Sequence, residues 1–291
     1  MTPQDVPSRP QMLDSLNTIL ASLHSTDHIG WDRVVLSAHS YGTYIAGWIA
    51  RNGVASSSGN DEEEEEEDSL IDKIAHLVLI DPIPILISNP SVAHNFLYRE
   101  PWTTTTASST GSVACFSAAS SWQLWYFASR DADVARTLFR SFFWSEGGMW
   151  REEVAAFLKR RSEKGDVGWF HDVSTPSTGI GLHTQTTTTT TAIHQRKNMA
   201  VILGGSDQII PAEAIRRYLT NEETCKTRWV GRIVDPLSHD SPSEVLDGEG
   251  RGQLEVLYDP KLDHAKIFDD RRDMIPLLEV VRRYVRDASG M

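Results

Sequence analysis

The sequence predicts an α/β protein built on an open, parallel sheet whose working residues stand at the C-terminal ends of the strands. Three observations predict it. Short apolar runs of strand length recur at VVLSAH, HLVLIDP, NMAVILGG and LEVLYD. Helical patterns such as YIAGWIA, AEAIRRYL and DMIPLLEVVRRYV alternate with them. Each run also closes on a polar residue able to do chemistry: Ser40, Asp81, Asp207 and, a few residues beyond the last run, His264.

Taken in order, DSLNTILASLH reads as a helix ahead of the first strand. VVLSAHSYG (34–42) is a strand running into Ser40 between two small residues, Ala38 and Gly42. A nucleophile on a sharp strand-to-helix turn sits in strained backbone geometry, and small flanking residues let the turn close. Ile45, Trp48 and Ile49 follow at helical spacing, so Ser40 stands at a helix N-terminus, where the dipole favours developing negative charge. Residues 55–69, with the acidic run Asp61 to Asp68, read as a solvated, disordered loop. HLVLIDP (76–82) is a buried parallel strand ending at Asp81. NMAVILGGSDQIIP (198–211) closes on Asp207 and gives way to the helix AEAIRRYL. LEVLYDPKLDHAKIF (254–268) carries a last strand and His264, and a final amphipathic helix is expected to begin at Asp273 with Pro276 in its first turn.

The order of these motifs resembles that of the α/β-hydrolase fold superfamily, serine-hydrolase type. Its chain order is nucleophile, acid, histidine, and Ser40, Asp207 and His264 fall in that order, each after a predicted strand. The resemblance covers the chain outside about 85–196. It implies a partial α/β-hydrolase sheet, from the elbow strand onward, made of 1–84 and 197–291. The segment 85–196 is then a helical cap inserted over the site, and its tryptophan-rich middle is similar to that of an uncharacterised branch of fungal hydrolases.

The chemistry implied needs each residue type. A serine hydroxyl is a poor nucleophile at neutral pH; His264 would take its proton, and Asp207 would fix the imidazole tautomer and stabilise the imidazolium. The backbone N–H of Tyr41 would supply one oxyanion donor. Asp81 is the alternative acid; otherwise it caps a turn before Pro82. His39 reads as an ordinary elbow residue whose side chain points away from Ser40, and Asp263 as part of a solvated loop. The reading is a serine hydrolase cleaving an ester or related acyl bond of a hydrophobic small molecule. A truncated or non-catalytic relative of the fold is the alternative, and an acyltransferase or lyase a further one, since fold does not fix reaction. Epoxide hydrolases and dehalogenases need an aspartate where Ser40 stands.

Composition sets the remaining bounds. A chain of 291 residues, 40% apolar, can form one large domain with an elaboration. A net charge of −12 argues against a nucleic-acid partner, which needs clustered Lys and Arg. Cys115 and Cys225 read as reduced thiols. No cofactor is implied, and no metal: His24 and His28 have helical ligand spacing but no third ligand in view, and the acidic run lacks the spacing of a calcium loop. No apolar run spans a bilayer and the N-terminus is polar and proline-rich, so the chain as given is expected to be cytoplasmic. The cap holds Trp102, Trp122, Trp125, Trp144, Trp150 and Trp169, most of them expected to pack it onto the core, and an aromatic cap implies an apolar acyl substrate. Threonine runs at Thr103 to Thr106 and Thr186 to Thr191 read as low-complexity loops.

In the superfamily, strands precede the elbow, and the loop after the third of them supplies the second oxyanion N–H. No such strand pattern and no HG sequence stands before Val34. The elbow strand is therefore expected at a sheet edge, open to self-association, with Val34, Val35 and Leu36 forgoing roughly 1.5–3 kcal/mol of burial each.

Overall fold

The computed structural model describes residues 7–27, 33–55, 70–98, 100–101, 119, 121–138, 147–160, 196–222, 230–234 and 252–289. The acidic run, both threonine runs, Cys115, Cys225, Trp102, Trp144, Trp169 and the side chains of His24 and His28 lie outside them.

A five-stranded sheet organises the molecule: β1 (Val34–His39), β2 (Ile74–Ile80), β3 (Met199–Gly204), β4 (Val230–Val234) and β5 (Leu254–Asp259), in the order β1-β2-β3-β5-β4. The pairs β1–β2, β2–β3 and β3–β5 are parallel, and β4 runs antiparallel to β5. Parallel strands covered on both faces read as continuous apolar runs. IAHLVLI and MAVILG fit that rule, with every residue of β2 and β3 buried.

Helices cover both faces. On one face lie α2 (Tyr41–Ala55), the short α3 (Leu70–Lys73) and two helices numbered below, with Leu77, Leu79, Val201, Leu203 and Val256 in a common core. On the other, Leu277, Val280 and Tyr284 of the C-terminal helix cover Val78, Ile80, Ala200, Ile202 and Leu257. Each such fully buried side chain contributes about 1.5–3 kcal/mol relative to exposure. The first helix, α1 (Arg9–Asp27), is longer than its apolar pattern indicated, because Ser8 and Gln11 start it early: the Ser8 N–H donates to Gln11 Oε1 at 2.7 Å.

β1 does lie at the sheet edge. Val34, Val35 and Leu36 are half-buried and Ser37 is exposed, and among the described residues no strand pairs with its outer side.

The segment after β2 begins with α4 (Pro90–Ala93), capped by Asn89, and π-helical turns at His94–Tyr98 and Trp125–Ser129. The Asp131 carboxylate caps α5 (Ala132–Arg136) through the N–H groups of Asp133 and Val134. α6 (Arg151–Lys159) behaves differently from these turns. Val154, Phe157 and Leu158 join the main core beside α2, and Arg51 of α2 pairs with Glu153 at 3.0 Å.

After β3 comes α7 (Ala212–Thr220), and after β5 the last helix, α8 (Arg271–Ser289). It starts two residues earlier than expected, because Asp270 caps it: Oδ1 accepts the Arg272 N–H at 2.8 Å. Pro276 thus lies inside the helix and not at its first turn.

The strand register sets the site. His39 pairs with Ile80, Ile80 with Ile202, and Gly204 with Asp259, so the ends of β1, β2, β3 and β5 come to one pole. Among the described residues, no helix is long and apolar enough to cross a membrane.

Candidate active site

Ser40 stands between β1 and α2 at φ +50°, the left-handed region a serine rarely adopts. Its N–H donates to the Ile80 carbonyl at 3.0 Å, and its carbonyl accepts the Thr43 N–H at 2.9 Å. The Thr43 hydroxyl donates to the same carbonyl and accepts the Ile83 N–H at 3.0 Å, tying the turn to the loop beyond β2. Thr43 is fully buried and gave no signal in the sequence, where it reads as one polar residue in a helix. Gly42 is less constrained than its place in the motif implies, since a Cβ there would meet Ala38 Cβ at an ordinary 3.9 Å. Within α2, Trp48 and Ile49 are buried as the spacing predicts, Ile45 is half-buried, and Tyr44 is the further buried aromatic.

The structure brings Ser40, Asp207 and His264 together across strands far apart in sequence. His264 Nε2 lies 2.9 Å from Ser40 Oγ, and His264 Nδ1 lies 2.7 Å from Asp207 Oδ2. The other Asp207 oxygen accepts the N–H groups of Ile209 and Ile210, at 2.7 and 3.0 Å. A carboxylate can only accept at Nδ1, so the proton sits there and Nε2 is left to accept from the serine hydroxyl.

Two loops hold this geometry. The Gly205 N–H donates to Asp259 O at 2.7 Å and the Ser206 N–H to Leu262 O at 2.8 Å, so the acid loop and the histidine loop pack backbone on backbone. Gly204 and Gly205 serve that closeness and not flexibility: a Cβ on Gly204 would lie 2.8 Å from Leu262 O, and one on Gly205 2.6 Å from Pro260 Cα. Asp263 is not a bystander on a solvated loop. Its Oδ1 accepts the N–H of Gln208 at 3.0 Å and of His264 at 2.7 Å, while Oδ2 accepts from the Gln208 amide. Ser121 in turn donates to Gln208 Oε1, and the Asn95 amide to Ile209 O, so the segment after β2 is fastened to the acid loop.

Asp81 is buried at φ +46° and does not touch His264 Nδ1. Its oxygens accept the Gly204 N–H at 3.1 Å and the Ala265 N–H at 2.9 Å, where a simple turn cap was the expectation. His39 also departs from expectation. Its ring lies 5.2 Å from that of His264, packs edge-on to Phe268, and brings Nε2 to 3.7 Å from Asp81 Oδ2, too long for a hydrogen bond but within ion-pair reach. Ser40 is left-handed and outside the strand, so strand alternation does not set its side chain opposite that of His39, which keeps its register with Ile80.

Burial disfavours the imidazolium of His264, but the hydrogen bond and charge of Asp207, then the charges of Asp81 and Asp263, outweigh it and raise His264 above its usual 6.5. Burial likewise pushes the Asp207 carboxyl up, against the opposing pull of His264. Burial works against Asp81 too, yet the neighbouring His39 and His264 and the two backbone N–H groups bring it below the ordinary carboxylate range.

Asp81, Asp207 and His264 offer ligand atoms within 4.8 Å of one another. A cation would have to displace the Asp207–His264 bond and the two backbone donors to Asp81, so the donor set is already engaged as a hydrogen-bond network. Tyr41 is the first residue of α2, so its N–H stands at the N-terminus of that helix, directly after Ser40. Among the described tryptophans after β2, Trp122 and Trp150 are exposed and Trp125 is half-buried, so none of these three is buried in the core as the packing expectation had it. No family model, curated protein or solved structure matches the chain.

Proposed function

We propose that the protein is a serine hydrolase of α/β-hydrolase type, cleaving an ester or related acyl bond through a covalent acyl-enzyme on Ser40. The single observation that carries this reading is the unbroken run Ser40 Oγ, His264 Nε2, His264 Nδ1, Asp207 Oδ2, with links of 2.9 and 2.7 Å. Ser40 Oγ attacks the acyl carbon as its proton passes to Nε2. The tetrahedral oxyanion forms beside the N-terminus of α2, where the Tyr41 N–H and the helix dipole stabilise it. The imidazolium then protonates the leaving group. Water, deprotonated by the same nitrogen, attacks the acyl carbon and releases Ser40. Because Asp207 is buried and bonded three ways, it orients and stabilises His264 without taking its proton.

An apolar substrate is supported by exposed aromatic side chains on the segment fastened to the acid loop. Trp122 follows Ser121, which is bonded to the acid loop, and exposes its ring together with Tyr126 and Phe127.

A fluorophosphonate probe tests the reading. The wild-type chain is expected to label at Ser40, and Ser40→Ala to lose all labelling. Turnover of a medium-chain p-nitrophenyl ester should fall at least about a thousandfold in Ser40→Ala and His264→Ala. Wild-type protein that neither labels nor turns over the ester would end the hydrolase reading.

A further inference from the structure

We propose that Asp81 is a positioning residue for His264, its buried carboxylate fastening the histidine loop to the end of β3 and placing a second negative charge beside the imidazole. This rests on the proposed roles of Ser40, His264 and Asp207.

Geometry separates Asp81 from the triad acid. Asp207 occupies Nδ1 at 2.7 Å, and Asp81 reaches the histidine only through its neighbour, accepting the Ala265 N–H at 2.9 Å. Ala265 follows His264 directly and is itself left-handed, at φ +62°. Asp81 at φ +46° is left-handed as well. Two non-glycine residues in this sparsely populated region persist only when their surroundings over-determine them. Here the bond between them does so, and the second Asp81 oxygen ties the pair to Gly204 at the end of β3. The Ala265 N–H belongs to the peptide unit that leaves His264, so its bond to Asp81 holds the backbone that carries the ring and with it the aim of Nε2 toward Ser40.

The charge matters as much as the tether. Facing the His264 ring are the carboxylates of Asp207, Asp81 and Asp263 and the imidazole of His39; Lys266, next on the loop, is turned to Asp269. His39 Nε2 is buried without a hydrogen-bond partner, 3.7 Å from Asp81 Oδ2. Two His–Asp pairs therefore stand side by side with their imidazoles in contact. When Ser40 gives up its proton, the new imidazolium has the charge of Asp81 beside it in addition to those of Asp207 and Asp263.

The test is the ring-proton NMR titration of His264, which needs no turnover, in wild type and Asp81→Asn, with ester kinetics alongside. In Asp81→Asn one amide oxygen can keep one backbone donor, but the charge is gone and the amide nitrogen opposes the other N–H. The His264 midpoint is expected to fall by roughly 1 pH unit. The ascending limb of kcat should move to lower pH with it, and kcat should drop about tenfold or more while KM stays within a few-fold. Asp81→Asn with a lower melting temperature but an unmoved His264 midpoint overturns the proposal, because a purely structural role would give that result. If Asp81→Asn does not fold, Asp207→Asn answers the same question. With Asp81 still charged, a His264 midpoint held at or above 6.5 supports the proposal and one well below it overturns it. Wild type that fails to label with the fluorophosphonate while the midpoint still shifts sinks the hydrolase reading alone.

Discussion

At φ +50°, Ser40 holds a backbone conformation that an L side chain occupies at a cost of about 1–3 kcal/mol. Three hydrogen bonds on its own backbone, one with Ile80 and two with Thr43, and a fourth that ties Thr43 to Ile83 keep it there. What the strain secures is direction: the hydroxyl leaves the end of β1 toward His264 instead of following the strand into the helix. Comparing Ser40→Ala with Ser40→Gly isolates this cost, since both lose the hydroxyl and its contact with His264 and only glycine is at ease with positive φ. Ser40→Gly is expected to be more stable than Ser40→Ala by about 1 kcal/mol in urea denaturation, with both inactive. Equal stability of the two variants would show that the turn is unstrained.

The elements around Ser40 meet across the ends of β3 and β5, where Gly204 and Gly205 let two loops touch through their backbones. Gly205→Ala pushes a Cβ into Pro260 Cα at 2.6 Å, so the acid loop must move relative to the histidine loop. A displacement near 1 Å in such a constellation costs on the order of a hundredfold in kcat. Gly42→Ala is the matched control: its Cβ finds ordinary contact at 3.9 Å, and activity should stay within a few-fold. Kinetics on the two variants, side by side, decide whether loop closeness or elbow smallness is the tighter requirement. The four parallel strands were legible in the sequence, β2 and β3 most plainly because they are buried on both faces and so read as unbroken apolar runs, whereas the antiparallel β4 was not read from it. Ser40, Asp207 and His264 were legible because each follows such a run at the same pole. Thr43, Gln208 and Asp263 were not, because a buried polar residue is defined by the partner it meets across the fold, and no local period records that partner. His39 was misjudged for a related reason: strand alternation stops where the chain turns left-handed.

At the scale of the whole molecule, the candidate site occupies one pole of the sheet, and the half-buried Arg33 and the buried His76 and Lys197 the other. Arg33 precedes β1, His76 lies early in β2, and Lys197 stands just ahead of β3, fully buried with its ammonium on the Ile71 carbonyl. Burial lowers Lys197 to about 8, Asp72 opposing and Arg160 and Arg33 assisting. His76 is the group that makes this pole sensitive to acid. Its Nδ1 accepts the Asn198 N–H at 3.0 Å, its Nε2 is buried with no hydrogen-bond partner, and its ring lies 4.8 Å from that of Tyr284 in α8. Burial lowers its pKa from 6.5 to about 4, with Asp287 opposing and Arg33 and Lys197 assisting. Between those two values the unfolded chain binds a proton that the folded chain refuses, so the stability tied to neutral His76 is whole above 6.5, falls as pH drops, and is lost by about 4. The difference corresponds to about 3 kcal/mol. His76→Gln keeps an acceptor for the Asn198 N–H and removes the titration. Unfolding free energies from urea melts at pH 7 and pH 4 should therefore converge more in His76→Gln than in wild type, by about 2–3 kcal/mol. If the two proteins lose the same stability over that interval, the acid sensitivity of the fold belongs to the carboxylates at the opposite pole, and His76 is a neutral spectator in β2.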